Sequence, residues 1–195
     1  MSFLRLIVAS SLTLVCSSSL ASEDVTPYDT VAGWKIVTDN TLNGGCFVLA
    51  EYKGGTILRV GIDNSDPESK SVYAIFGDPE WKSIEYGKEY EVQIQFGNEE
   101  KWSGEAEGMS FDPPENQSML WIEINNQDDA AVLFFEEFMQ ESTVELFYNE
   151  SSIALLKLKD SYAAGLKLAE CQKAADNANK DPFSQPTDSN DPFSA

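Results

Sequence analysis

The segment Tyr90–Phe96 constrains the fold most. Tyr90, Val92, Ile94 and Phe96 are apolar, and Glu91, Gln93 and Gln95 between them are polar. Successive side chains of a strand point to opposite faces, so this alternation predicts a β-strand with one face on a core and one in water. Such a strand belongs in an antiparallel sheet rather than a parallel one buried on both sides. Further short runs rich in β-branched and aromatic residues surround it: Trp34–Val37, Cys46–Tyr52, Thr56–Ile62, Ser71–Phe76, Lys101–Ala106 and Met119–Ile124. Lys53-Gly54-Gly55 joins two of them as a hairpin, because glycine supplies the positive φ that tight turns need. Asp63–Pro67, Gly97-Asn98 and Asp112–Glu115 break the others. The spacing predicts a mainly β chain, an antiparallel β-sandwich or open barrel of about seven to nine strands.

The period changes after Asp128. Ala131, Phe134, Phe135 and Phe138 fall at i, i+3, i+4 and i+7, which predicts a helix near 129–140 with Asp128 and Asp129 at its electropositive end. Strands at Thr143–Tyr148 and Ile153–Leu158 follow, joined across Asn149-Glu150-Ser151. Asp160 or Ser161 then caps a second helix near 161–175, with Ala164, Leu168, Cys171 and Ala175 on its buried stripe. Residues 22–176 thus read as a single β-rich domain.

The N-terminus reads as a leader. Arg5 precedes the apolar runs Leu6–Ala9 and Leu12–Val15, and Ser19-Leu20-Ala21 supplies small residues at the cleavage positions. This is the layout of a secretory signal peptide over 1–21. The apolar stretch is too short for a membrane span, which needs about 20 residues. Val15 stands where a lipoprotein signal would have a small residue, so lipid attachment at Cys16 is not expected. Removing the leader leaves Cys46 and Cys171, an even count that predicts a disulfide in an exported chain. Such a bridge contributes roughly 5 kcal/mol in the chain-entropy model, an upper guide.

Residues 177–195 are rich in Asp, Asn, Ser and Pro, with Phe183 and Phe193 their large apolar residues. That composition cannot offset its ordering entropy and predicts a disordered tail. Within it Asp181-Pro182-Phe183-Ser184 recurs as Asp191-Pro192-Phe193-Ser194. A repeated short motif can act as a bivalent peptide ligand; drift in a low-complexity tail is the plainer explanation.

Charge narrows the partners. The chain carries 33 acidic and 13 basic residues, a net −20 that becomes −21 once Arg5 is removed. Such a field repels nucleic acid and anionic lipid and favours cationic partners. Solubility alone is the plainer role for the acidity. Histidine is absent, which removes the commonest general base and zinc ligand together with Ser-His and Cys-His nucleophile pairs.

Several constellations remain. Asp63–Glu68 offers oxygen ligands for calcium but lacks the glycine and distal glutamate of an EF-hand loop, so a solvated turn is the simpler account. Glu99-Glu100 and Glu136-Glu137 offer carboxylate pairs for a glycosidase, though adjacent carboxylates arise by chance in a chain this acidic. Trp34 and Trp121 fit core strands. Trp81 and Trp102, nearer turns, are candidate surface-binding residues alongside Phe183 and Phe193. Asn116-Gln117-Ser118 and Asn149-Glu150-Ser151 are glycosylation sequons, of consequence only in a eukaryotic host. No catalytic residue, metal site or cofactor is expected.

The runs Phe138–Leu146, Ser152–Leu158 and Ser161–Leu168 together resemble the ending of small exported proteins of Gram-negative, chiefly alphaproteobacterial, bacteria, among them the invasion-associated locus B family. There a helix, a strand pair and a small-residue start to a final helix close a β-sandwich. This chain departs from that family in keeping only two cysteines after the leader. The resemblance implies a periplasmic address and carries no catalytic residues. The expectation is therefore a periplasmic or secreted binding protein without turnover, its partner a cationic protein or an envelope component, with no nucleic acid and no membrane insertion after cleavage. A carboxylate-based hydrolase of an envelope polysaccharide and a purely structural envelope protein stand beside it.

Overall fold

The structure, a computed structural model, describes residues 24–66, 70–110, 118–125 and 129–178. Its strands are β1 (Val25–Val31), β2 (Trp34–Asp39), β3 (Gly45–Glu51), β4 (Ile57–Asp63), β5 (Ser71–Asp78), β6 (Glu89–Phe96), β7 (Trp102–Ser110), β8 (Ser118–Ile124), β9 (Thr143–Tyr148) and β10 (Ser151–Lys157). Helix α1 (Ala130–Gln140) joins β8 to β9, and helix α2 (Ser161–Ala178) follows β10. All ten strands form one sheet in the order β1-β2-β3-β4-β5-β8-β7-β6-β9-β10. Every neighbouring pair is antiparallel. The mainly β class with two helices is what the sequence implied. The sheet is not closed into a barrel, since β1 and β10 remain as edges.

Two details differ from expectation. The described residues form ten strands, not seven to nine. The extra one, β1, is exposed on nearly every residue and shows no apolar alternation. Pairing with β2 holds it, and Pro27 and a register shift before Asp29 suit an edge, where proline costs no ladder bond. Helix α2 runs on to Ala178, so Asn177 and Ala178 belong to the helix and not to the tail. The leader, Cys16 and residues 179–195, with Phe183 and Phe193, lie outside the described residues.

The alternation seen in β6 puts Tyr90, Val92, Ile94 and Phe96 on the inner face, all buried. Trp34, Ile36, Val48, Leu58, Val60, Phe76, Leu120 and Ile122 join them from the other strands. The helices seal this face. Phe134 of α1 meets Phe96 edge-on at 4.9 Å and Trp102 at 5.5 Å, and Phe138 meets Trp34 at 5.5 Å. Helix α2 buries Ala164, Leu168 and Cys171, with Ala175 packed beside them. Gly165 permits close crossing of the helices, since a Cβ there would lie 2.5 Å from Met139 Sδ.

Cys46 of β3 and Cys171 of α2 form the disulfide, with their Cα atoms 6.1 Å apart and a sequence separation of 125. The Cys46 N–H donates to Gln172 Oε1 at 2.9 Å, and the Trp34 indole N–H donates to Lys159 O at 2.9 Å. The approach to α2 and the middle of the helix are thus held on β2 and β3.

The outer face carries a second apolar cluster, Val37, Phe47, Tyr73, Ile75 and Met119. Trp121 belongs here rather than in the inner core, stacked on Tyr73 at 4.2 Å. The Arg59 guanidinium lies 3.6 Å above Phe47, donates from Nε to Tyr73 Oη at 2.7 Å and pairs with Asp39 Oδ2 at 2.6 Å. Burial pushes the Asp39 carboxyl up, but hydrogen bonds from Thr41 and Arg59 and the Arg59 charge outweigh it and hold the group below its ordinary range. Burial pushes the Tyr73 phenol well above its ordinary value despite the Arg59 charge.

Because the disulfide closes so long a loop, replacing both cysteines should cost about 2–5 kcal/mol. The check is urea unfolding of Cys46→Ala/Cys171→Ala against the oxidised chain. Coincident curves would mean the bond contributes nothing.

Candidate functional site

The outer face of β6, β7 and β9 differs from the Arg59 side of the sheet. The residues of β6 that point away from the core are Glu89, Glu91, Gln93 and Gln95, and those of β7 are Ser103, Glu105 and Glu107. The register sets Glu89 directly opposite Glu107 and Glu91 opposite Glu105. Gln93 lies between Ser103 and Phe147, and Gln95 faces Glu145. Among the described residues no lysine or arginine nitrogen comes within 4 Å of these four paired glutamates. Like charges directly opposite in an antiparallel pair are destabilising.

These strands floor an open cleft of about 590 Å³, lined by Glu91, Gln93, Ser103, Glu105, Phe147, Asn149 and Glu150. The β9–β10 turn forms one wall. Asn149 and Glu150 both have positive φ, 48° and 63°, the conformation of a two-residue hairpin turn. The sequon asparagine Asn149 is therefore committed to that turn. On the floor, Lys101 Nζ sits 3.5 Å above the Phe147 ring and donates to Gln93 Oε1 at 3.4 Å. The cleft thus offers carboxylates and amides, with its one aromatic ring covered by the Lys101 ammonium.

Trp81 lines a separate cleft of about 530 Å³ with Ile84, Tyr90, Leu120, Tyr148 and Ile153. The connector between β5 and β6 crosses the end of the sheet here and presses on Gly108, where a Cβ would lie 2.2 Å from Glu85 O. Tyr90 Oη accepts the Glu85 N–H at 2.8 Å, and its ring meets Tyr148 edge-on at 5.9 Å. Lys88, at the rim, pairs with Glu85 at 2.6 Å.

Trp102, the other tryptophan singled out near a turn, is half-buried on the inner face. Its ring packs on Phe134 and its N–H donates to Glu137 Oε2 at 2.6 Å, so it pins α1 to β7. Burial raises the Glu137 pKa, the Trp102 hydrogen bond opposes this, and Glu99 and Glu141 add to the rise. Adjacent helix residues point about 100° apart, so Glu136 and Glu137 do not form a pair; Glu136 instead lines a cleft against β5. In the acidic turn after β4, Asp63 Oδ1 accepts the Ser65 N–H at 2.8 Å. Asn64 is buried; its Nδ2 donates to Asn43 O and Asn43 Nδ2 donates to Asn64 O, each at 3.1 Å, leaving Asn64 Oδ1 unpaired. Among the described residues, no three His, Cys, Asp or Glu side chains converge there or elsewhere; Pro67 and Glu68 lie outside those residues.

The paired glutamates were invisible as a site in the sequence. Glu91 is legible there as the wet face of a strand, but its neighbour depends on register across the Gly97–Lys101 turn. Comparisons with protein-family models, with curated proteins and with solved structures find no match to this chain.

If the facing carboxylates repel, Glu91→Gln/Glu105→Gln should stabilise the fold by about 0.2–1 kcal/mol at low salt. Denaturant melts with and without added salt check this. A loss of stability would show that the pair is favourably engaged.

Proposed function

We propose that this chain is an exported binding protein without catalytic turnover, which receives a cationic protein or a cationic envelope component on the outer face of β6, β7 and β9. The observation that carries this reading is the double row of facing glutamates beside an open cleft, with no lysine or arginine nitrogen of the described residues within 4 Å of those four carboxylates. A stripe that costs stability is retained more readily where a partner's charge relieves it. The −21 of the processed chain would speed the encounter, since a negative field steers cations.

Export is supported by the leader-like start over 1–21, by the Cys46–Cys171 disulfide and by the resemblance to Gram-negative periplasmic proteins. No helix of the described residues is long and apolar enough to cross a membrane.

Cross-linking capture of partners from a Gram-negative periplasmic extract tests the reading when the wild type and Glu91→Gln/Glu105→Gln are run in parallel. Raising salt from about 0.1 M to about 1 M shortens the Debye length from about 10 Å to about 3 Å. The captured partner should be basic, should fall away at the higher salt, and should be weakened by the double substitution. A partner recovered equally in all conditions would contradict recognition at this face.

A further inference from the structure

The two free edges of the sheet are not alike. Strand β1 is blunted by Pro27 and a register shift. Strand β10 has a register shift between Ser152 and Ala154 but no proline, and no charge before Lys157. Leu158 N–H donates to Ser142 O at 2.8 Å, so Leu158, and Leu156 with it, turn their peptide groups to β9. In an antiparallel ladder alternate residues face opposite ways. Leu155 and Lys157 therefore aim their N–H and C=O groups away from β9. Lys157 O takes the Tyr52 hydroxyl across the gap at 3.0 Å. The Leu155 N–H and C=O and the Lys157 N–H meet no hydrogen-bond partner among the described residues.

Two clefts flank this edge and share Ile153. One, of about 350 Å³, separates Leu155 and Lys157 from Tyr52 and Lys53. The other is the Trp81 cleft. Trp81, Ile84 and Ile153 are only partly buried there, packed on the inner core, so the core is half-covered along this seam. A strand laid on β10 would turn alternate side chains into the Trp81 cleft and the others to solvent. The charge left over along the seam is positive. Lys53, Lys82 and Lys157 make no ion pair within 4 Å among the described residues, whereas Lys88 and Glu85 hold each other. Asp78 spends one oxygen on the Thr56 hydroxyl and the other on the Glu80 N–H.

We propose that the free edge of β10 is the docking site of an extended peptide segment of a partner protein, added to the sheet as a further strand. The segment's main chain takes the Leu155 N–H and C=O and the Lys157 N–H. One large apolar side chain enters the Trp81 cleft, and an acidic residue beside it faces the unpaired lysines. Main-chain bonds supply affinity and the cleft supplies selectivity; the exposed ion pairs contribute little. This site does not rest on the acidic face, which takes a partner of opposite charge.

Phage-displayed random peptides of about nine residues, enough to span this edge at about 3.4 Å each, test it when selected on the whole chain with its disulfide intact. Enriched peptides should share a large apolar residue next to an acidic one. Leu155→Pro removes an N–H that the β9 ladder does not use, and it should weaken their binding about tenfold. Leu155→Ala keeps that N–H and should retain the binding, while Trp81→Ala should reduce it. N-methylation along a selected peptide gives a second reading on the unaltered chain, independent of how Leu155→Pro folds. Losses should recur at every second residue, because alternate peptide groups of a strand face the edge. Failure to enrich any peptide would overturn the proposal, as would a flat N-methylation scan or full binding to a folded Leu155→Pro. Enrichment of basic peptides alone, lost in Glu91→Gln/Glu105→Gln, would also overturn it while supporting the acidic face.

Discussion

The placement of α2 across the inner face of β2 and β3 is the constraint on which the rest of the structure depends. A ten-stranded antiparallel sheet with two edges cannot cover its own apolar face, and an uncovered face of that size would be an association surface. Three connections hold the cover in place: the Cys46–Cys171 bond, the Cys46 N–H on Gln172, and the Trp34 indole on Lys159 O. Helix α1 is wedged beneath the arrangement through Phe134 and Phe138 and stapled by Trp102 to Glu137. The free edge of β10 meets the end of β3, where Tyr52 Oη donates to Lys157 O at 3.0 Å. The sheet thus curves far enough for its two halves to touch without closing.

With the inner face spent on the core, chemistry is left to the outer face, which divides in two. Over β2 to β5 and β8, Arg59 sits among Phe47 and Tyr73 and pairs with Asp39, at the centre of an apolar cluster. Over β6, β7 and β9 the glutamates are paired with one another. The chain-wide acidity is consequently not spread evenly over the sheet. One half resembles a second core and the other an electrostatic surface.

Much of the fold was legible because it is local. The β6 alternation, the Gly54-Gly55 turn, the i, i+3, i+4, i+7 stripe of α1 and the inward placement of Cys171 all follow from neighbours in sequence. What escaped is non-local. Strand β1 carries no pattern of its own and exists through its partner β2. Trp121 looks like a core residue and is apolar enough to be one, but parity puts it on the outer face against Tyr73. The facing of Glu89 with Glu107 and Glu91 with Glu105 is set by turn length and register, which composition does not report. The same holds for the seam at Ile153, formed only when β10 curves toward the β5–β6 connector.

Recognition of positive charge at the face of β6, β7 and β9 is tested most directly by amide NMR of the isotope-labelled chain titrated with a short oligolysine. Shifts should concentrate on Glu91, Gln93, Glu105, Phe147 and Glu150, saturate at low salt, and be lost in Glu91→Gln/Glu105→Gln. Shifts scattered evenly over the other acidic residues, or retained in that variant, would contradict a site there and leave the acidity as a matter of solubility.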